Sequence, residues 1–200
     1  MTDAAVETPS GLAGVHLHTA DEPRGGLVLG HGAGGGVEAP DLLAATEAAL
    51  EERFSVALVE QPYRVAGRRS PAPAARLDEA WTAVVERLRD GELEGLPLVV
   101  GGRSAGARVA CRTVAESGAV AVLCLAFPVH APGRPEKTRA HELDAVELPT
   151  LVVQGERDPF GMPADGLNRR VVSVAGNHSL SVDLDAVRAA VRSWLAEVVR

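Results

Sequence analysis

The sequence predicts an α/β domain: a mostly parallel sheet of about six or seven strands with helices on both faces. Two observations predict it. Short apolar runs such as Val28-Leu29 and Val99-Val100 do not alternate with polar residues, so those strands are buried on both sides. Segments with helical spacing separate them, as parallel strands require.

In chain order, Val15 to Thr19 reads as an edge strand, Leu27–Leu29 as a buried strand ending at Gly30, and Asp41 to Glu52 as a helix behind Pro40. Ser55–Val59 is the next strand, and a Pro, Gly and Arg-rich loop fills Gln61 to Arg76. Leu77, Trp81, Val84, Val85 and Leu88 mark one face of a helix running to Arg89. Leu98–Val100, Ala119–Phe127, Thr150–Val153 and Val171–Val174 are strands, and Ala105–Glu116 and Asp183–Val199 are helices. No composition break divides the chain, so residues 1–200 read as one domain, with 1–12 expected to be a flexible N-terminus.

With 200 residues the chain can bury a core without staples. Aromatics are only 3%, so small aliphatic side chains must fill that core. A formal charge of −7 argues against a nucleic-acid partner. No apolar run reaches the ~20 residues of a membrane span, and the first ten residues lack the pattern of a secretory leader, so a cytoplasmic location is expected. Cys111 and Cys124 sit in apolar segments and read as buried thiols. No Cys or His spacing resembles a metal site, and no cofactor is expected.

Ligands of such sheets bind beyond the carboxyl ends of the strands, and the unusual residues lie there. Gly102-Arg103-Ser104-Ala105-Gly106 fits G-x-S-x-G between a strand and a helix, a turn that holds a serine hydroxyl above the sheet. That makes Ser104 the candidate nucleophile. No Lys-Ser/Thr pair follows the glycines, which excludes a P-loop. Acyl transfer also needs two backbone N–H donors for the oxyanion. Ala105, the residue after the serine, supplies one. The loop His31-Gly32-Ala33-Gly34-Gly35-Gly36 supplies the other, at Ala33 or alternatively Gly34. The competing reading of that loop as a dinucleotide site lacks a G-x-G-x-x-G match. His31 is expected to hold the loop.

A serine needs a histidine base, and the base needs an acid. In this class the chain order is Ser, acid, His. His130, His141 and His178 follow Ser104, and His178 alone lies between the last strand and the last helix. Asp158 follows the preceding strand, in a turn shaped by Pro159 and Gly161, and Glu156 is the alternative acid. Arg103, His130 and Arg134 are assigned to substrate contacts. Arg64, Arg68 and Arg69 crowd the same edge, a pattern that suits a carboxylate or phosphate on the substrate. Solvation, or ion pairing with Glu136 and Asp165, is the competing account.

The wording Gly-His-Gly-Ala-Gly-Gly, Gly-Gly-Arg-Ser-Ala-Gly-Ala-Arg, Phe127 to Glu136 and Gln-Gly-Glu-Arg-Asp-Pro-Phe resembles the α/β-hydrolase superfamily from about Val15 to Val199. Within it, the chain is similar to small bacterial hydrolases akin to dienelactone hydrolase and to a subunit of the eukaryotic NSL histone-acetyltransferase complex. The resemblance implies a Ser104-Asp158-His178 triad. It also departs at one point, since dienelactone hydrolase has a cysteine where this chain has Ser104. The segment from Pro128 to Pro149 is only 22 residues long, too few for the cap domain that many such enzymes insert there. The expected function is hydrolysis of an ester, thioester or related acyl bond of a small molecule. The alternatives are a binding or scaffold module that keeps the fold without turnover, and acyl transfer on the same triad.

Overall fold

In the computed structural model, which describes residues 2–199, eight strands form one sheet in the order β1-β2-β4-β3-β5-β6-β7-β8. The strands are β1 (Thr2–Thr8), β2 (Gly11–His18), β3 (Gly25–Gly30), β4 (Phe54–Glu60), β5 (Leu98–Arg103), β6 (Ala121–Leu125), β7 (Thr150–Gly155) and β8 (Arg169–Val174). From β4 to β8 in the sheet, every pair is parallel; β1 and β2 join antiparallel at the β4 side. The helices are α1 (Pro40–Glu51), α2 (Pro62–Val65), α3 (Ala74–Arg89), α4 (Ala105–Ser117), α5 (Ala140–Asp144) and α6 (Leu184–Val198).

The unbroken apolar strands are explained by two cores, one on each face. Leu27, Leu29 and Val99 point toward α1 and α6, where they meet Leu42, Val191 and Trp194. Val28 and Val100 point the other way, toward α3 and α4, and pack with Trp81, Val85 and Val109. The helix ends follow local chemistry. Pro40 opens α1, where the missing N–H costs nothing. Asp183 caps α6 by accepting from the Ala186 N–H at 3.0 Å. Gly118 ends α4 in the left-handed conformation, at φ 67°.

Two expectations are corrected. Residues 2–8, expected to be flexible, form β1, which pairs with β2 along its whole length through Thr2–Leu17 to Thr8–Gly11. Its residues are small or polar and mostly exposed, so no apolar alternation announced it; backbone pairing makes the strand. The edge strand expected at Val15–Thr19 begins earlier, at Gly11, and lies one place inside the edge. The β6–β7 connection holds only α5, and among the described residues there is no cap domain. Glu142 of α5 pins that connection to α4. It accepts from Arg108 at 2.7 and 2.5 Å, and Arg112 reaches both Glu142 and Asp78 of α3. Among the described residues, no helix is long and apolar enough to cross a membrane.

Candidate active site

Ser104 stands between β5 and α4 with φ 52° and ψ −106°, a backbone state an L-residue adopts only under constraint. The constraint comes from its neighbours. The Ser104 N–H donates to Leu125 O at 2.8 Å, tying the turn to β6. A Cβ on Gly102 would lie 2.4 Å from Gly30 O, and one on Gly106 only 2.3 Å from the same oxygen. The two glycines of the motif therefore let β5 and α4 press against the end of β3. That contact carries the serine to the start of the His31–Gly36 loop: a Cβ on Gly32 would be 3.7 Å from the Ser104 Cβ.

Asp158 and His178 arrive from the ends of β7 and β8. His178 Nε2 is 2.9 Å from Ser104 Oγ, and His178 Nδ1 is 2.8 Å from Asp158 Oδ2. The three side chains form one hydrogen-bonded line. A carboxylate only accepts, so Nδ1 carries the proton and Nε2 presents a lone pair to the serine. The Asp158 side chain is 1% exposed, whereas His178 is 17% exposed, so the carboxylate is sealed while the imidazole reaches the surface. Gly155 lets the two loops meet, because a Cβ there would fall 2.4 Å from Asn177 O. The alternative acid, Glu156, is exposed and has no ion-pair partner among the described residues.

Three residues that sequence reasoning missed complete the arrangement. Gln154, fully buried at the end of β7, donates through Nε2 to Asp158 Oδ2 at 2.9 Å, and the same nitrogen faces Phe127 O and Gly161 O. Its Oε1 is buried without a partner, a cost of about 1–3 kcal/mol that the donor side must offset. Phe160 donates its backbone N–H to Asp158 Oδ1 at 2.8 Å and stacks its ring on His178 at 4.1 Å between centroids. Asp158 is thus at once the Asx-turn residue and the candidate acid. Tyr63 donates its hydroxyl to Ala33 O at 2.9 Å and so holds the glycine loop from α2. A polar residue ending a buried strand was the one available signal for Gln154; Phe160 and Tyr63 gave none.

Among the described residues nothing accepts from the Ala33 N–H. As the first residue of α4, Ala105 has an N–H with no acceptor inside the helix. Gly34 lies one residue further along the same loop, with open space where a Cβ would sit. His31 is buried at 3% exposure. Its Nε2 accepts from the Gln61 N–H at 3.1 Å while Nδ1 donates to Gly32 O at 2.7 Å. It holds the loop as a neutral ring, and burial pushes its pKa below the usual histidine value. As pH falls through that usual value, about 6.5, the unfolded chain takes up a proton that the folded chain resists, so stability is lost. We expect the urea midpoint to drop between pH 7.5 and 5.5, and to drop less in His31→Gln.

Arg103, expected on substrate, is turned into the protein. Its Nε lies 2.9 Å from Asp41 Oδ2, and its NH2 donates to His178 O at 3.0 Å. The physical reason is Asp41, fully buried at the start of α1 and in need of a counter-charge. Even so, burial holds the Asp41 pKa above the usual range, with Arg103 opposing. Arg103 therefore ties the histidine loop to α1. His130 is half-buried, donates from Nδ1 to Ala131 O at 2.9 Å, and packs its other edge where a Cβ on Gly161 would be 2.8 Å from Nε2. Arg134 is exposed in the same connection.

The model of the family described as an alpha/beta hydrolase domain matches residues 23–183. Among solved structures, the chain is similar to XC6422 from Xanthomonas campestris, an α/β serine hydrolase without a lid, at 17% identity and TM-score 0.78, covering 96% of this chain and 92% of that one. It is similar to Est1E from Butyrivibrio proteoclasticus at 16% identity and TM-score 0.82, covering 98% of each. It is also similar to dienelactone hydrolase from Anabaena variabilis at 18% identity and TM-score 0.75, covering 100% of this chain and 99% of that one. At these identities the structures speak for the fold, and the family model speaks for descent. The strand–serine–helix turn, the sheet order and the matched span converge: this chain belongs to the α/β-hydrolase family.

Proposed function

We propose that the protein is a serine hydrolase that cleaves an ester, thioester or related acyl bond of a small substrate through an acyl-enzyme. The observation that carries this reading is the unbroken line from Asp158 through His178 to Ser104, with contacts of 2.8 and 2.9 Å. His178 Nε2 takes the serine proton as Oγ attacks the acyl carbon. The carbonyl oxygen becomes an oxyanion, and the N–H groups of Ala33 and Ala105 stabilise it. His178 then passes its proton to the departing alcohol or thiol as the bond to it breaks. A water, deprotonated by the same nitrogen, attacks the acyl-enzyme and releases the carboxylic acid and free serine. Asp158 fixes the tautomer and stabilises the imidazolium. Without a cap, the site suits short or protruding acyl groups.

The test is a fluorophosphonate probe, whose phosphorus is attacked as an acyl carbon would be. Wild type should carry one adduct, on Ser104 by peptide mass. Ser104→Ala should carry none, and His178→Ala should label at least about a hundredfold more slowly. Folded wild type that stays unlabelled would remove the reading.

A further inference from the structure

The cations of this acidic chain are not distributed evenly. Eleven arginines lie within 4.0 Å of a carboxylate. Eight cations among the described residues have no such partner. Four are the arginines between Gln61 and the first turn of α3; Arg134, Lys137 and Arg139 lie between β6 and α5; Arg157 follows β7. Since β4, β6 and β7 are parallel to β5, every one of them lies beyond the same sheet edge as Ser104. Carboxylates without an ion-pair partner among the described residues lie there too, including Glu7, Glu38, Glu60, Glu136, Glu156, Asp183 and Asp185. A chain of net charge −7 thus gathers all eight of its unpaired described cations beyond the edge that carries Ser104.

One part of that edge is shaped. Arg68, Arg69 and Arg76 line a hollow of about 560 Å³ with Tyr63 and the Ser70–Pro73 turn, and no carboxylate lines it. Tyr63 is the wall between this hollow and the glycine loop, because its hydroxyl donates to Ala33 O. Arg64 stands on the other side of that wall: its NH2 is 3.8 Å from where a Cβ on Gly36 would be, and its Nε is buried with no hydrogen-bond partner. Guanidinium groups that lack internal acceptors are free to bind a carboxylate or phosphate in forked geometry.

We propose that the substrate carries an anionic group, a carboxylate or phosphate, away from the scissile bond, and that Arg68, Arg69 and Arg76 hold it in the hollow beside Tyr63. This rests on the hydrolase reading of Ser104. Three fluorophosphonates test it, identical except for a neutral, a carboxylate or a phosphate terminus on a short spacer. At 20 mM salt, Ser104 should react at least about tenfold faster with a charged probe than with the neutral one. The advantage should shrink toward one at 0.5 M salt, where screening acts within about 4–5 Å. Whichever charged terminus reacts faster identifies the group. Arg68→Gln/Arg76→Gln should bring the charged-to-neutral ratio close to one, whereas Arg87→Gln, on the far side of α3 at its C-terminal end, should leave the ratio unchanged. Equal rates for neutral and charged probes would overturn the proposal and leave the hydrolase reading standing. A ratio that survives the double substitution would overturn the placement in the hollow. No reaction with any probe would remove the hydrolase reading and this proposal with it.

Discussion

Asp158→Asn should lower kcat on a neutral aryl acetate by about three to four orders of magnitude while the protein stays folded. Asp158 Oδ2 accepts from His178 Nδ1 and Gln154 Nε2, and Oδ1 accepts from the Phe160 N–H. All three partners are donors. An asparagine has one oxygen and one NH2, so either orientation sets a donor against a donor. If the NH2 faces His178, the ring must turn to the tautomer with a lone pair at Nδ1 and a proton at Nε2, and Nε2 can no longer take the serine proton. If the NH2 faces Phe160, a buried N–H loses its acceptor, at about 1–3 kcal/mol. The first arrangement stops the chemistry and the second strains the acid loop. Steady-state kinetics beside circular dichroism separates the two costs. A kcat within tenfold of wild type would show that Asp158 does not set the tautomer.

The second large effect is on the fold. Gly106→Ala should cost about 3 kcal/mol, a fall of roughly 6–12 °C in Tm for a chain of this size. The added Cβ would sit 2.3 Å from Gly30 O and 2.5 Å from Gly30 C, both backbone atoms inside a closely packed sheet. Either α4 withdraws from β3 or the end of β3 moves, and His31 follows Gly30 directly. Activity should therefore fall with stability. Gly34→Ala is the contrast, because nothing lies within 4 Å of its Cβ position. Its Tm should stay within about 2 °C, corresponding to roughly 0.5 kcal/mol. Thermal unfolding of the two variants measures the difference.

Residues near Ser104 divide according to how local their cause is. The G-x-S-x-G turn was legible because its cause is local: a strand, a strained serine and a helix follow one another within a few residues. Asp158 and His178 were legible through chain order, since parallel strands bring successive strand-end loops to one edge. Arg103 was misplaced because its partner, Asp41, lies 62 positions away on α1, and no sequence pattern marks a buried carboxylate that needs a cation. β1 was missed for a related reason. Its residues gain little by burial, so its strand state comes from hydrogen bonds to β2 rather than from an apolar stripe.

By itself the sequence determined the α/β class, the buried strands, the elbow at Ser104 and the order of its partners. These rest on periodicity, on glycine where no side chain fits, and on connectivity, all of which are written along the chain. Only the tertiary structure decided that Gln154 and Phe160 hold Asp158, that Arg103 faces inward, and which described cations remain unpaired at the sheet edge that carries Ser104. Those depend on which side chains meet across distant segments, and on whether a charge finds its partner inside the protein.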